Sequence, residues 1–115
     1  MKKVVHILKG DPFSWKSHEA LRVATATAIN NETYFICIRD GVYFLTKWES
    51  KRLGIESLEK FKETLEFINL TLIAEEESLH DRGILKTELT FNNVRIMNSE
   101  DIKNLIHEAD FLFVW

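Results

Sequence analysis

Cysteine is almost missing from this chain: Cys37 is the single one among 115 residues. One thiol excludes an intramolecular disulfide and a zinc site built from paired cysteines within the chain. Glycine (4 residues) and proline (1 residue) are also scarce. The one turn that carries both, Lys9-Gly10-Asp11-Pro12-Phe13, lacks the repeated glycines and the Gly-Lys-Ser/Thr ending of a phosphate loop. No apolar run approaches the ~20 residues needed to cross a bilayer, and the start Met1-Lys2-Lys3-Val4-Val5-His6 lacks the longer apolar stretch of a signal peptide. A cytoplasmic protein without membrane contact is expected. An excess of positive charge is absent too: 15 Lys and Arg stand against 18 Asp and Glu, a formal net charge of −3, so no direct nucleic-acid binding is expected.

What is present suffices for one core. Hydrophobic residues make up 45% of a chain of ordinary domain length, and no linker or repeat interrupts it, so residues 1–115 are expected to form a single domain. Residues 3–8 are β-branched and apolar and stop at Gly10-Asp11-Pro12, which predicts a first strand and a loop. Ser17 is placed to cap a helix whose apolar positions Ala20, Leu21, Ala24 and Ala28 recur at helical spacing. Residues 33–38 are apolar throughout rather than alternating, the pattern of a strand covered on both faces.

Arg39-Asp40-Gly41 predicts a turn, and the crowding of Val42, Tyr43, Phe44, Leu45 and Trp48 predicts a short packed helix. A longer helix is expected over residues 57–67, then a buried strand over 70–74 and a charged helix over 75–82 ending at Gly83. A fourth strand over 94–97, a helix from Ser99 to about Glu108 with Glu100 and Asp101 in its first turn, and a fifth strand over 111–114 complete the series. Strands and helices alternating at spacings too long for hairpins predict an α/β fold: an open parallel five-stranded sheet with helices on both faces, flavodoxin-like in layering. Trp115 is expected to pack against the sheet edge or a neighbouring subunit.

Ligands of doubly wound sheets bind beyond the carboxyl ends of the strands, near the point where strand order reverses. That rule selects the loops after strands one, two and three, which carry Lys9, Asp11, Ser14, Lys16, His18, Arg39, Asp40, Glu75, Glu76 and His80. Each has a plain structural role to weigh against chemistry. Ser14 and Ser17 have no Gly-x-Ser-x-Gly context and fit capping better than nucleophilic attack. Glu76 and His80, four apart, could share a proton or a metal on one helix face, but lack a second ligand pair, so no metal site is expected. Glu75, Glu76, Glu77 and Asp81 can be an acidic rim or an exposed helix. His6 and His107 fit structural positions. Cys37 is the one sulfur nucleophile, yet it lies mid-strand between isoleucines, where burial raises a thiol pKa and blocks access.

The same residues carry a resemblance. Arg39-Asp40-Gly41-Val42-Tyr43 after strand two resembles the strand-then-(Asp/Glu)-Gly-Val-Tyr segment of the DsrE/DsrF/TusBCD sulfur-relay proteins. Glu75 followed by Ser78-Leu79-His80-Asp81-Arg82-Gly83-Ile84 is similar to their third-strand exit with its Arg-Gly-(Leu/Ile) unit, and Ala109-Asp110 before an apolar strand is similar to their ending. The resemblance implies the passing of persulfide sulfur between cysteines of small proteins, toward tRNA thiolation or sulfur oxidation. It puts Glu75 where a carrier member has its cysteine, just after strand three. The compact form resembles the DsrF/TusC branch, whose members assemble beside a carrier subunit. It therefore implies partner subunits of a relay complex, or self-association as a trimer or hexamer, and no cofactor. Exposed aromatics such as Trp15 and Trp48 could serve such contacts. Three functions follow as alternatives: a noncatalytic subunit or homo-oligomeric relative, a sulfurtransferase acting through Cys37, and a small-molecule-binding domain using Lys9, Asp11, Asp40 and Glu75.

Overall fold

The computed structural model describes residues 1–47, 68–90 and 93–115. The helix expected over 57–67 and Trp48 lie outside the described residues. Five parallel strands, β1 (Lys3–Leu8), β2 (Glu32–Cys37), β3 (Leu70–Glu75), β4 (Arg95–Met97) and β5 (Phe111–Val114), form one sheet in the order β4-β3-β2-β1-β5. The chain steps from β1 to β4 in one direction and then returns across the sheet to β5. Right-handed crossovers in opposite directions put helices on opposite faces.

Accordingly α1 (Trp15–Ala28), a 3-10 helix (Arg39–Leu45) and α2 (Glu76–Asp81) cover one face, and α3 (Ser99–His107) covers the other. On the first face Ala20, Leu21, Ala24 and Ala28 of α1 and Val42, Phe44 and Leu45 of the 3-10 helix pack on Leu8, Phe35, Cys37, Leu72 and Ala74. On the second, Ile102 of α3 packs on Val5, Ile7, Tyr34, Ile36 and Ile73. Alternate residues of β2 thus enter two separate cores, which explains its unbroken apolar run.

Among the described residues the expected elements hold in order and type, with local shifts. The N-cap of α1 is Ser14, three residues earlier than expected; Ser17 is buried instead as the reciprocal member of a capping box, its Oγ accepting from the Ser14 N–H. Arg39-Asp40-Gly41 is the first turn of the 3-10 helix rather than a separate turn. β2 starts one residue earlier, at Glu32, and β4 is reduced to three residues. Gly83 takes the left-handed conformation (φ +64°) that ends α2. Among the described residues no helix is long and apolar enough to cross a membrane.

A buried polar chain ties β5 to the body of the fold. His6 has no exposed surface, and its ring stacks on Phe113 with centroids 4.9 Å apart. The indole Nε1–H of Trp115 donates to His6 Nδ1 at 3.2 Å. Because an indole N–H can only donate, Nδ1 is the unprotonated nitrogen, and Nε2–H donates to Thr27 Oγ1 on α1 at 3.2 Å. Burial holds His6 neutral and pushes its pKa down from 6.5 to about 4. The unfolded chain therefore binds this proton more readily than the folded one, so the stability that His6 contributes is intact above pH 6.5 and is lost as pH falls toward 4. Thermal unfolding followed between pH 7.5 and 4 should show that loss, amounting to about 3 kcal/mol when complete. His6→Gln keeps an acceptor for Trp115 without titrating, and should flatten this part of the profile.

Candidate functional site

The carboxyl ends of β2 and β3 are joined through one hydroxyl. Ser78, buried in the first turn of α2, accepts from the Arg39 backbone N–H through Oγ at 2.7 Å, and the same Oγ donates to the Glu75 carboxylate. Glu75 is both the last residue of β3 and the N-cap of α2, so its backbone is fixed by the sheet and its side chain by Ser78. Arg82 closes the cluster: its Nε donates to Asp40 Oδ1 at 3.0 Å and its Nη1 to the Ser78 carbonyl at 3.2 Å. Arg39 holds a left-handed backbone (φ +50°), unusual for a residue with a Cβ, which carries the chain from β2 into the 3-10 helix.

Gly41 makes that helix possible. A Cβ at position 41 would stand 2.1 Å from the Leu8 carbonyl oxygen, so the 3-10 helix can lie across the end of β1 only with glycine there. The Asp40-Gly41-Val42-Tyr43 segment is therefore a packing motif: Gly41 permits the approach, Val42 fills the core, and Asp40 holds Arg82 from outside.

The remaining predicted residues divide. Lys9 and Asp11 lie exposed on the loop after β1, where Asp11 (φ +49°) pairs with Lys16 at 3.6 Å. Only this one of the three chosen loops flanks the reversal of strand order, which falls between β1 and β5. The rule for crevice position selects the β1 loop; the polar cluster after β2 and β3 sits to one side of it. Glu76 is exposed, and the His80 side chain is 91% exposed with Asp81 as its near neighbour at 3.9 Å, so Glu76 and His80 form no shared site. Among the described residues, no three His, Cys, Asp or Glu side chains are grouped to hold a metal ion. Ser14 caps α1, and His18 meets the Trp15 ring edge-on at 6.1 Å.

Cys37 has no exposed surface, and burial pushes its thiol pKa well above the usual range. Both effects remove the thiolate that sulfur chemistry requires. Two residues that the sequence marked only as part of a motif or of an acidic rim, Ser78 and Glu77, have definite roles. Ser78 is the hub just described; its signal was a serine three residues after the strand-end glutamate. Glu77 reaches the start of α3, accepting from the Ser99 Oγ at 2.5 Å and the Ser99 backbone N–H at 2.9 Å. The Ser99 hydroxyl, then the Ser99 N–H, hold the Glu77 carboxyl below the ordinary range. An open cavity of about 460 Å³, lined by Tyr43, Thr46, Lys47, Ile84, Thr87 and Glu88, lies apart from all the predicted residues. No periodicity marks it, because two distant loops build it.

A three-layer parallel α/β domain with a packed Gly-Val-Tyr turn after β2 and a capped carboxylate after β3 defines the class. The sequence profile of the DsrE/DsrF-like family matches residues 2–115, and the chain belongs to that family, a sulfur-relay-related one. Among solved structures it is similar to the YchN protein from E. coli, with a TM-score of 0.75 and 20% identity over 100% of both chains, a likeness of fold. No curated protein matches it in sequence.

Ser78→Ala should leave the Arg39 N–H without its acceptor and Glu75 without its donor. A loss of about 1–3 kcal/mol in chemical denaturation is expected, against less than about 0.5 kcal/mol for His80→Ala on the exposed side of the same helix.

Proposed function

We propose that this protein acts in sulfur relay by binding and positioning, as a noncatalytic subunit of a relay complex or as a homo-oligomer, and does not carry sulfur itself. The observation that supports this most is the pairing of a carboxylate after β3 with a sealed thiol in β2. A carrier must attack a sulfur donor as a thiolate and then be attacked in turn, so it needs an accessible, ionisable sulfur. Glu75, engaged by Ser78, offers oxygen; Cys37 offers sulfur that is neither accessible nor ionised. The likeness to the DsrF/TusC branch supports a place beside a separate carrier subunit in the cytoplasm, in tRNA thiolation or sulfur oxidation.

The alternatives find less support. Transfer through Cys37 would require β2 to leave the middle of the sheet, where Thr33–Cys37 pairs with both β1 and β3. A small-molecule site made of Lys9, Asp11, Asp40 and Glu75 would first have to displace Lys16, Arg82 and Ser78 from its three carboxylates.

Incubation with a cysteine desulfurase and cysteine, followed by intact-mass spectrometry, should leave the native protein without added sulfur. An added sulfur mapped to Cys37 would overturn the proposal. A thiol reagent should label Cys37 only after denaturation.

A further inference from the structure

β5 is the one described strand with no side chain in either core: Phe111, Leu112, Phe113 and Val114 are 52%, 48%, 43% and 56% exposed, and only Trp115, just past the strand, packs inward. Among the described strands it pairs with β1 alone. Segments with so few buried contacts open before the body of a fold does. Two anchors hold this one closed. At its start Asp110 donates its N–H to the Lys3 carbonyl and its carboxylate accepts from the Lys3 N–H, both at 2.8 Å, while Lys3 Nζ pairs with Glu108 at 3.1 Å. At its end Trp115 donates its backbone N–H to the Ile7 carbonyl at 2.8 Å and its indole N–H to His6 Nδ1 at 3.2 Å.

The second anchor works in one protonation state only. Thr27 Oγ1 donates its single proton to the Ala24 carbonyl at 2.9 Å, so toward His6 Nε2 and Thr33 Oγ1, each 3.2 Å away, it is an acceptor. Nε2 therefore already carries its proton, and a second can enter the ring only at Nδ1, the atom that receives the indole. Two N–H groups would then point at one another in a site without exposed surface, where an unmade hydrogen bond costs most. The stacked Phe113 ring tolerates a charged imidazole; the indole N–H does not.

No described charge takes part in this contact. α1 presents Thr27 to the ring, β2 presents Phe35, level with His6, and Thr33, and β5 presents Phe113 and Trp115. Of the titratable side chains on α1, His18 meets Trp15, and Lys16, Glu19 and Arg22 are exposed. Lys3, Glu108 and Asp110 sit at the opposite end of β5. Burial is what disfavours the proton on His6. With Trp115 swung away, water reaches Nδ1 and the ring regains the ordinary proton affinity of histidine, so protons favour the open state.

We propose that His6 is an acid-operated latch on the last strand: a proton on Nδ1 expels the Trp115 indole, and β5 leaves β1 while the four-stranded body β4-β3-β2-β1 stays folded. This device is independent of whether sulfur is carried.

Hydrogen exchange followed by NMR on the full chain reads the latch. The distance between the ordinary histidine value of 6.5 and the value of about 4 in the closed state corresponds to about 100-fold more opening at pH 4 than at pH 7.5. After correction for the intrinsic pH dependence of exchange, protection of the Trp115 backbone and indole N–H groups should fall by that factor, in step with the titration of His6 Nδ1. At every pH it should lie well below the protection of Thr33–Cys37, the sign of opening apart from global unfolding. His6→Gln cannot titrate and should hold Trp115 protection constant. Asp110→Asn removes the other titratable group that holds the strand and should follow the wild type. Equal protection at Trp115 and Thr33–Cys37 overturns the proposal, because the whole domain then opens at once. So does a Trp115 protection that pH leaves unchanged, or a pH dependence that Asp110→Asn abolishes. If His6→Gln does not fold, the wild type and Asp110→Asn decide among these outcomes.

Discussion

The structure depends on covering the middle of a parallel sheet from both sides. β2 lies between β1 and β3, and its alternate side chains enter two cores, one under α1, the 3-10 helix and α2, the other under α3. From Thr33 to Cys37 no position of that strand is open to water, so every residue there serves packing. Cys37 is one of them, paired in register with Leu8 and Ala74, and its chemistry is suppressed by the burial that makes it useful to the core. The same constraint drives polar groups to the strand ends. There the backbone must leave the sheet, and its unpaired N–H and C=O groups need partners.

At those ends the fold spends its few special residues. Gly41 lets a helix lie on the last carbonyl of β1, and the left-handed Arg39 steers the chain into that helix. Ser78 then receives the Arg39 N–H and holds the Glu75 side chain. In this protein the exit of β3 is a fixed junction, closed by Arg82 from the outside. At one edge of the sheet the side chains of a whole strand, Phe111–Val114, stay partly exposed. β5 is tied inward through the Trp115–His6–Thr27 chain, and no other described strand pairs with its outer side.

Much of the architecture was legible from pattern. The unbroken apolar run in β2 fits a strand buried on both faces, and the helical spacing of Ala20, Leu21, Ala24 and Ala28 fits a helix face pressed on a neighbouring layer. Boundaries were less legible where two residues could do one job: Ser14 and Ser17 are both suited to cap α1, and the reciprocal bonds of the capping box decide which is outside. The candidate site was legible in part. Glu75 and Asp40 were found through their motif context, whereas Ser78 and Glu77 read as ordinary residues of a charged helix. Their roles come from Arg39 and Ser99, partners 39 and 22 residues away in the chain. Glu76 and His80, paired by spacing, are parted by exposure.

By itself the sequence determined that one thiol serves the whole chain, that strands and helices alternate, and that the segment after β3 begins with a carboxylate. These are consequences of composition and short-range periodicity, which the chain carries before it folds. Tertiary structure alone decided that β5 crosses back to lie beside β1, so that the strand order reverses between them and an apolar strand becomes an edge. Sequence specifies which faces are apolar; strand order follows from which faces can be covered together, and that is settled among residues more than a hundred positions apart, such as His6 and Trp115.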